Sequence, residues 1–167
     1  MKAFYTLLIL LIPYASYSQQ SYLYENFYNG FPSDWSQATN SSDGGWLIGS
    51  PNTLSSNYFN IPYLNNDISN LVIATNDDLC NCDKSSDYLI FPEIELEDDI
   101  TVFLTTDIYY FERTYEGSTE SLTLEFKQND SNDWIVVDTI NGNTNINSSW
   151  EKRTFDISTI TNFSNGT

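Results

Sequence analysis

Apolar and polar residues alternate along much of this chain with a period of two, which places successive side chains on opposite faces of an extended backbone. In 100–108, Ile100, Val102, Leu104, Thr106 and Ile108 share one face while Thr101, Phe103, Thr105 and Asp107 share the other. One buried and one solvated face is the pattern of an antiparallel sheet. Runs at 22–27, 71–75, 88–96, 121–127, 134–140 and 150–157 predict further strands. Clusters of Asn, Asp, Ser and Gly separate them, and these residues make turns because they bond their own backbone or accept left-handed torsions. The polar connection 128–133 is such a cluster and predicts a hairpin between its two flanking strands. No segment carries the spacing of a substantial helix, and about eight short strands predict an all-β sandwich.

Two segments depart from the alternation. At the start, Lys2 supplies a positive charge, 7–12 is an unbroken apolar run, and Ala15-Ser16-Tyr17-Ser18 ends in small residues. This predicts a signal peptide over 1–18, too short in its apolar part to span a bilayer, and a mature domain over 19–167. The expected location is therefore secreted, extracellular or at the cell surface. The second segment, 33–67, is rich in Ser and Asn yet carries Trp35, Trp46, Tyr58, Phe59 and Tyr63. Rings so placed either plug the open end of a sandwich or stack on a ligand.

Charge narrows the partners. With 23 acidic residues against 6 basic ones the formal net charge is −17, which repels phosphate backbones and anionic headgroups. Nucleic acid and membrane insertion are thus not expected, whereas divalent cations are concentrated by such a surface. The chain has no histidine, which removes Ser-His-Asp and Cys-His catalysis in their usual forms and the commonest zinc ligand. The chemistry left to an enzyme is glycoside hydrolysis by paired carboxylates, for which Glu93 and Glu95 stand at i and i+2. The acidic turn formed with Glu97, Asp98 and Asp99 explains that pair more simply, so catalysis is not expected.

Candidate chemistry concentrates in 74–87, which holds Asn76, Asp77, Asp78, Asp83 and Asp87 together with both cysteines, Cys80 and Cys82. Carboxylate and amide oxygens at this density suit Ca²⁺, which takes six to eight such ligands in flexible geometry; equally, Asx residues simply make turns. The spacing is not that of an EF-hand. Export lets thiols pair, and a Cys80–Cys82 disulfide would close a very small ring whose geometry departs from the relaxed form. It would staple the loop, the alternatives being a labile bond or free thiols. A second candidate is 109–116, where Tyr109, Tyr110, Arg113 and Tyr115 offer aromatic faces beside charge. That mixture suits glycans and protein hot spots; otherwise these rings alternate in and out at strand ends.

Asn76-Asp77-Asp78, Cys80-Asn81-Cys82-Asp83-Lys84-Ser85 and Asp87-Tyr88-Leu89-Ile90 resemble the choice-of-anchor J domain, a family related to the cleaved adhesins of gingipains and, more distantly, to MAM domains. Glu25-Asn26-Phe27, Phe31-Pro32-Ser33-Asp34-Trp35, Gly44-Gly45-Trp46-Leu47-Ile48 and Trp150-Glu151-Lys152 extend the resemblance over the chain after its leader. It implies a secreted jelly-roll β-sandwich that binds an extracellular glycan or protein, with structural Ca²⁺ to which Glu25 contributes unless it is an outward strand residue. Such domains carry further strands and commonly a sorting domain of type IX secretion after the point where 162–167 ends. The resemblance therefore implies a domain lacking its last strands. It also allows an accessory domain of a secreted hydrolase or peptidase.

Overall fold

A computed structural model describes residues 20–96, 101–111, 121–128, 131–141 and 149–158. The elements are β1 Ser36–Ala38, β2 Leu47–Gly49, α1 Pro51–Leu54, β3 Val72–Ala74, α2 Asp77–Cys80, β4 Tyr88–Ile90, β5 Phe103–Ile108, β6 Ser121–Lys127, β7 Trp134–Asn141 and β8 Glu151–Asp156, with a 3-10 turn at Leu64–Asn66. Strands dominate and the helical pieces are single turns, so the fold is all-β. The strands pair as four two-stranded antiparallel ladders among the described residues: β1 with β4, β2 with β3, β5 with β8 and β6 with β7.

The β6–β7 hairpin follows from its sequence most directly. Leu122, Leu124 and Phe126 lie on one face of β6 and are half-buried, while Ser121, Thr123, Glu125 and Lys127 on the other are exposed. The ladder runs from Ser121 opposite Asn141 to Lys127 opposite Trp134, with a bulge at Leu124/Glu125 that leaves Val137 unmatched. The β5–β8 ladder pairs Phe103 with Asp156 through to Ile108 with Glu151. Arg153 of β8 ties the two ladders together, its guanidinium 3.2 Å from Asp138 of β7 and 3.0 Å from Glu151.

The predicted strand at 22–27 does not form. Glu25 turns its carboxylate back onto the N–H groups of Asn26, at 2.8 Å, and Phe27, and Phe27 takes φ 59. A carboxylate that captures the next two amides gives the backbone a local alternative to a ladder. The predicted strand at 88–96 pairs only over Tyr88–Ile90, and its partner is β1, which lies in the segment expected to be irregular.

The core sits under the β2–β3 ladder and α1. Leu54, Ile61 and Val72 are buried there, with Leu47, Phe59, Ala74, Tyr109 and Trp150 packed around them. Each fully buried aliphatic side chain contributes about 1.5–3 kcal/mol. Pro51 opens α1 at its first position, where a missing N–H costs nothing, and the Ser50 hydroxyl caps the turn by accepting from Thr53 N–H at 3.3 Å. A smaller cluster gathers on Trp35, which meets the edge of Phe27 at 5.6 Å and the Phe91 ring at 4.3 Å.

Candidate functional site

Among the described residues, two places combine chemistry with geometry: the cysteine loop and a cleft beside Trp150. In the loop, Asn76 caps α2. Its Oδ1 accepts from Leu79 N–H at 3.2 Å, and its Nδ2 donates to the Leu54 carbonyl at 2.8 Å, which anchors the loop to the core. The turn ends at Asn81, whose left-handed torsions (φ 51, ψ 49) let its N–H reach the Asp77 carbonyl. The same coiling brings Cys80 and Cys82 together. Two residues of extended chain span about 7 Å, the limit for a bridge, whereas here the Cα atoms are 5.2 Å apart and the sulfurs are bonded. That separation is ordinary for a disulfide, so the departure expected of so small a ring is not seen in the spacing of its Cα atoms.

Beyond the disulfide the chain folds back on a lysine. Lys84 Nζ donates to Asp43 Oδ1 at 2.5 Å and to the Gly45 carbonyl at 2.8 Å, and lies 3.4 Å from Asp87 Oδ2. Its side chain is 8% exposed and that of Asp87 1%. The Asp87 carboxylate also accepts from the hydroxyls of Thr39, of Ser41 at 3.2 Å and of Thr75 at 2.8 Å, and its carbonyl accepts from the Trp46 indole at 3.2 Å. Burial opposes the ionised form of Asp87, but the Thr39 and Thr75 hydroxyls and Lys84 outweigh it and hold the carboxyl below its ordinary range. At Asp43 burial likewise opposes charge, and Lys84 with the Gly45 N–H holds the group low.

The residues considered as a Ca²⁺ set are not gathered around one point. Asn76 has both amide atoms engaged on backbone. Asp77 and Asp78 are exposed in the first turn of α2. Asp83 is exposed and accepts the Ser85 N–H at 2.8 Å, which lowers its pKa. Glu25 holds the backbone at 26–27. Asp87 is inside, its carboxylate 3.4 Å from the Lys84 ammonium. Among the described residues, the Asp and Glu members of this set form no cluster that brings three ligand atoms together. Lys84 as counter-ion, with Thr39, Ser41, Thr75 and Asp43 around it, is what the sequence reading missed. The available signal was a lone lysine among the aspartates of an acidic chain.

The second site lies where β5 and β8 meet the 3-10 turn. A cleft of about 420 Å³ is lined by Pro62, Tyr63, Asn65, Asn66, Asp107, Trp150 and their neighbours. Asn65 and Asn66 both take positive φ, 53 and 58, conformations that asparagine tolerates. Trp150 donates from its indole N–H to the Pro62 carbonyl at 2.6 Å and packs on Tyr109 at 5.8 Å, so its ring is fixed from two sides. Tyr109 in turn stacks on Phe59 at 5.6 Å and donates to the Asn60 carbonyl at 3.0 Å, and burial raises its phenol. Tyr109 therefore supports the wall of the cleft. Asp107 and Lys152, paired across the ladder at 3.5 Å, supply charge at the rim. Tyr110 is half-buried; Arg113 and Tyr115 lie outside the described residues, as does the segment 1–18.

No family model matches the chain, and neither does any curated protein sequence or solved structure. Among the described residues, no helix is long and apolar enough to cross a membrane.

Proposed function

We propose that this chain is a non-catalytic extracellular binding module that takes a carbohydrate in the Trp150 cleft, on a fold of the jelly-roll sandwich type. The observation that carries the reading is the immobilised Trp150 indole in a cleft of about 420 Å³ whose other walls offer amide, carboxylate and ammonium groups. Sugars present apolar C–H faces and a rim of hydroxyls, and a fixed ring beside such groups matches both. The resemblance to adhesin domains and the signal-peptide pattern support export and a surface role. Two of the four ladders, β1–β4 and β5–β8, pair strands that are not consecutive in the chain, as a sandwich of this type requires. In this reading the cysteine loop is a rigid support held by Lys84.

Calorimetric titration of the chain with neutral and acidic oligosaccharides tests the proposal. We expect neutral or amino sugars to bind and polyanionic ones to be refused by the net charge of −17. Trp150→Ala should abolish binding. Lys152→Gln, at a side chain 67% exposed and hence without effect on folding, should weaken it several-fold. Full affinity in both variants, or no sugar bound by a cooperatively folded chain, would refute the cleft.

A further inference from the structure

We propose that reduction of the Cys80–Cys82 disulfide creates a zinc site made of the two cysteine thiolates and the Asp43 carboxylate. The starting observation is that one ligand atom from each of these residues lies within 4.8 Å of the others, all three residues being half-buried. Cys82 Sγ is 4.0 Å from Asp43 Oδ1.

The site can form without rebuilding the loop. Thiolates bind zinc at about 2.3 Å and carboxylates at about 2.0–2.2 Å, so tetrahedral ligands stand about 3.5–3.8 Å apart. Two sulfurs carried on Cα atoms 5.2 Å apart, on a turn fixed by the Asn81 torsions and the Asn76 cap, reach that separation by side-chain rotation. The carboxylate is already placed. Lys84 shares the Asp43 oxygen, but Asp87 Oδ2 is 3.4 Å from the same ammonium, so the lysine keeps a carboxylate partner when a metal takes Asp43. Two thiolates and one carboxylate select a borderline-soft ion such as Zn²⁺ over Ca²⁺ or Mg²⁺, and leave a fourth position for water.

The chemistry balances through thiol exchange. Two external thiols surrender their hydrogens to the Cys80 and Cys82 sulfurs and leave as their own disulfide, a two-electron reduction of the protein. Zinc binding then releases one proton from each new thiol. The site would thus be latent in an oxidising compartment and open in a reducing one. This inference is independent of the cleft.

The experiment uses the chain, oxidised or reduced anaerobically with a phosphine, titrated with Zn²⁺ against a chromogenic chelator. The expected result is one tightly held zinc per reduced chain with about two protons released, and none in the oxidised chain or in Cys80→Ser. Asp43→Asn should weaken binding at least about tenfold. Equal zinc uptake in oxidised and reduced chains, no uptake on reduction, or undiminished affinity in a folded Asp43→Asn would each overturn the proposal. Because Asp43 also holds Lys84, Co²⁺ substitution of the unaltered chain gives a second readout. Sulfur-to-cobalt charge transfer with the visible bands of four-coordinate cobalt is expected, and the absence of either sinks the assignment even if Asp43→Asn does not fold.

Discussion

Lys84 is one of six basic residues in the chain, and its ammonium is placed in the interior against Asp43 and Asp87. Removing one partner of a buried pair leaves the other charge desolvated, so Lys84→Met should destabilise the fold by about 3 kcal/mol in a denaturant titration. The same network contributes to the acid limb of stability. Asp43 and Asp87 are held below their ordinary value of 3.8, so the unfolded chain binds protons that the folded chain refuses. Their stabilisation is therefore complete above 3.8 and is lost as pH falls through the lower folded values. Asp87→Asn should flatten that loss in melts recorded across the acid range; an unchanged acid limb would remove Asp87 from this role. At this scale the sequence was only half legible. It marked the aspartates as a set, but Lys84 meets Asp43 across 41 positions of chain, and no local pattern announces such a contact.

The elements around the loop depend on two glycines that look alike in sequence and differ in space. Gly44 and Gly45 take φ 98 and 88, but a Cβ on Gly44 would meet open space, whereas one on Gly45 would stand 2.9 Å from Thr39 Cβ and from Gln37 Oε1. Gly44→Ala should cost about 1 kcal/mol from torsion alone, and Gly45→Ala clearly more, since it also displaces the carbonyl that receives Lys84. Thermal melts of the two variants compare them directly. The disulfide closes a ring with a sequence separation of 2, for which chain entropy gives only about 1.5 kcal/mol. Reduction should lower the melting temperature by a few degrees and leave a cooperative transition, as a reducible site requires. Among the elements, the β6–β7 hairpin was fully legible because pattern, turn residues and pairing are all local. The run at 22–27 had the pattern but lost its ladder to Glu25, whose carboxylate competes for the amides.

For the molecule as a whole, composition and periodicity were enough to fix the all-β class, while the pairing of strands was not readable because partners lie far apart and β1 is a mere three residues long. The cleft was hidden for the same reason: Trp150 and Pro62, its wall, are 88 positions apart. With Lys84 serving as internal cation, millimolar Ca²⁺ and chelator should give the same melting temperature; a large rise specific to Ca²⁺ that Asp83→Ala abolishes would return the loop to metal binding.

The ladders also carry a consequence for time. Val102 N–H donates to Ser158 Oγ across 56 positions, and β1 reaches β4 over a comparable span, whereas β6 and β7 lie only a few positions apart in the chain. Closing long loops must precede the contacts that reward it, so the hairpin can form in microseconds while the distant ladders wait on a rare encounter. The chain should therefore pass through a stage in which the hairpin exists and the cleft does not. On the proposed carbohydrate reading, the capacity for sugar would then be the last property the protein acquires as it folds and the first it loses as it opens.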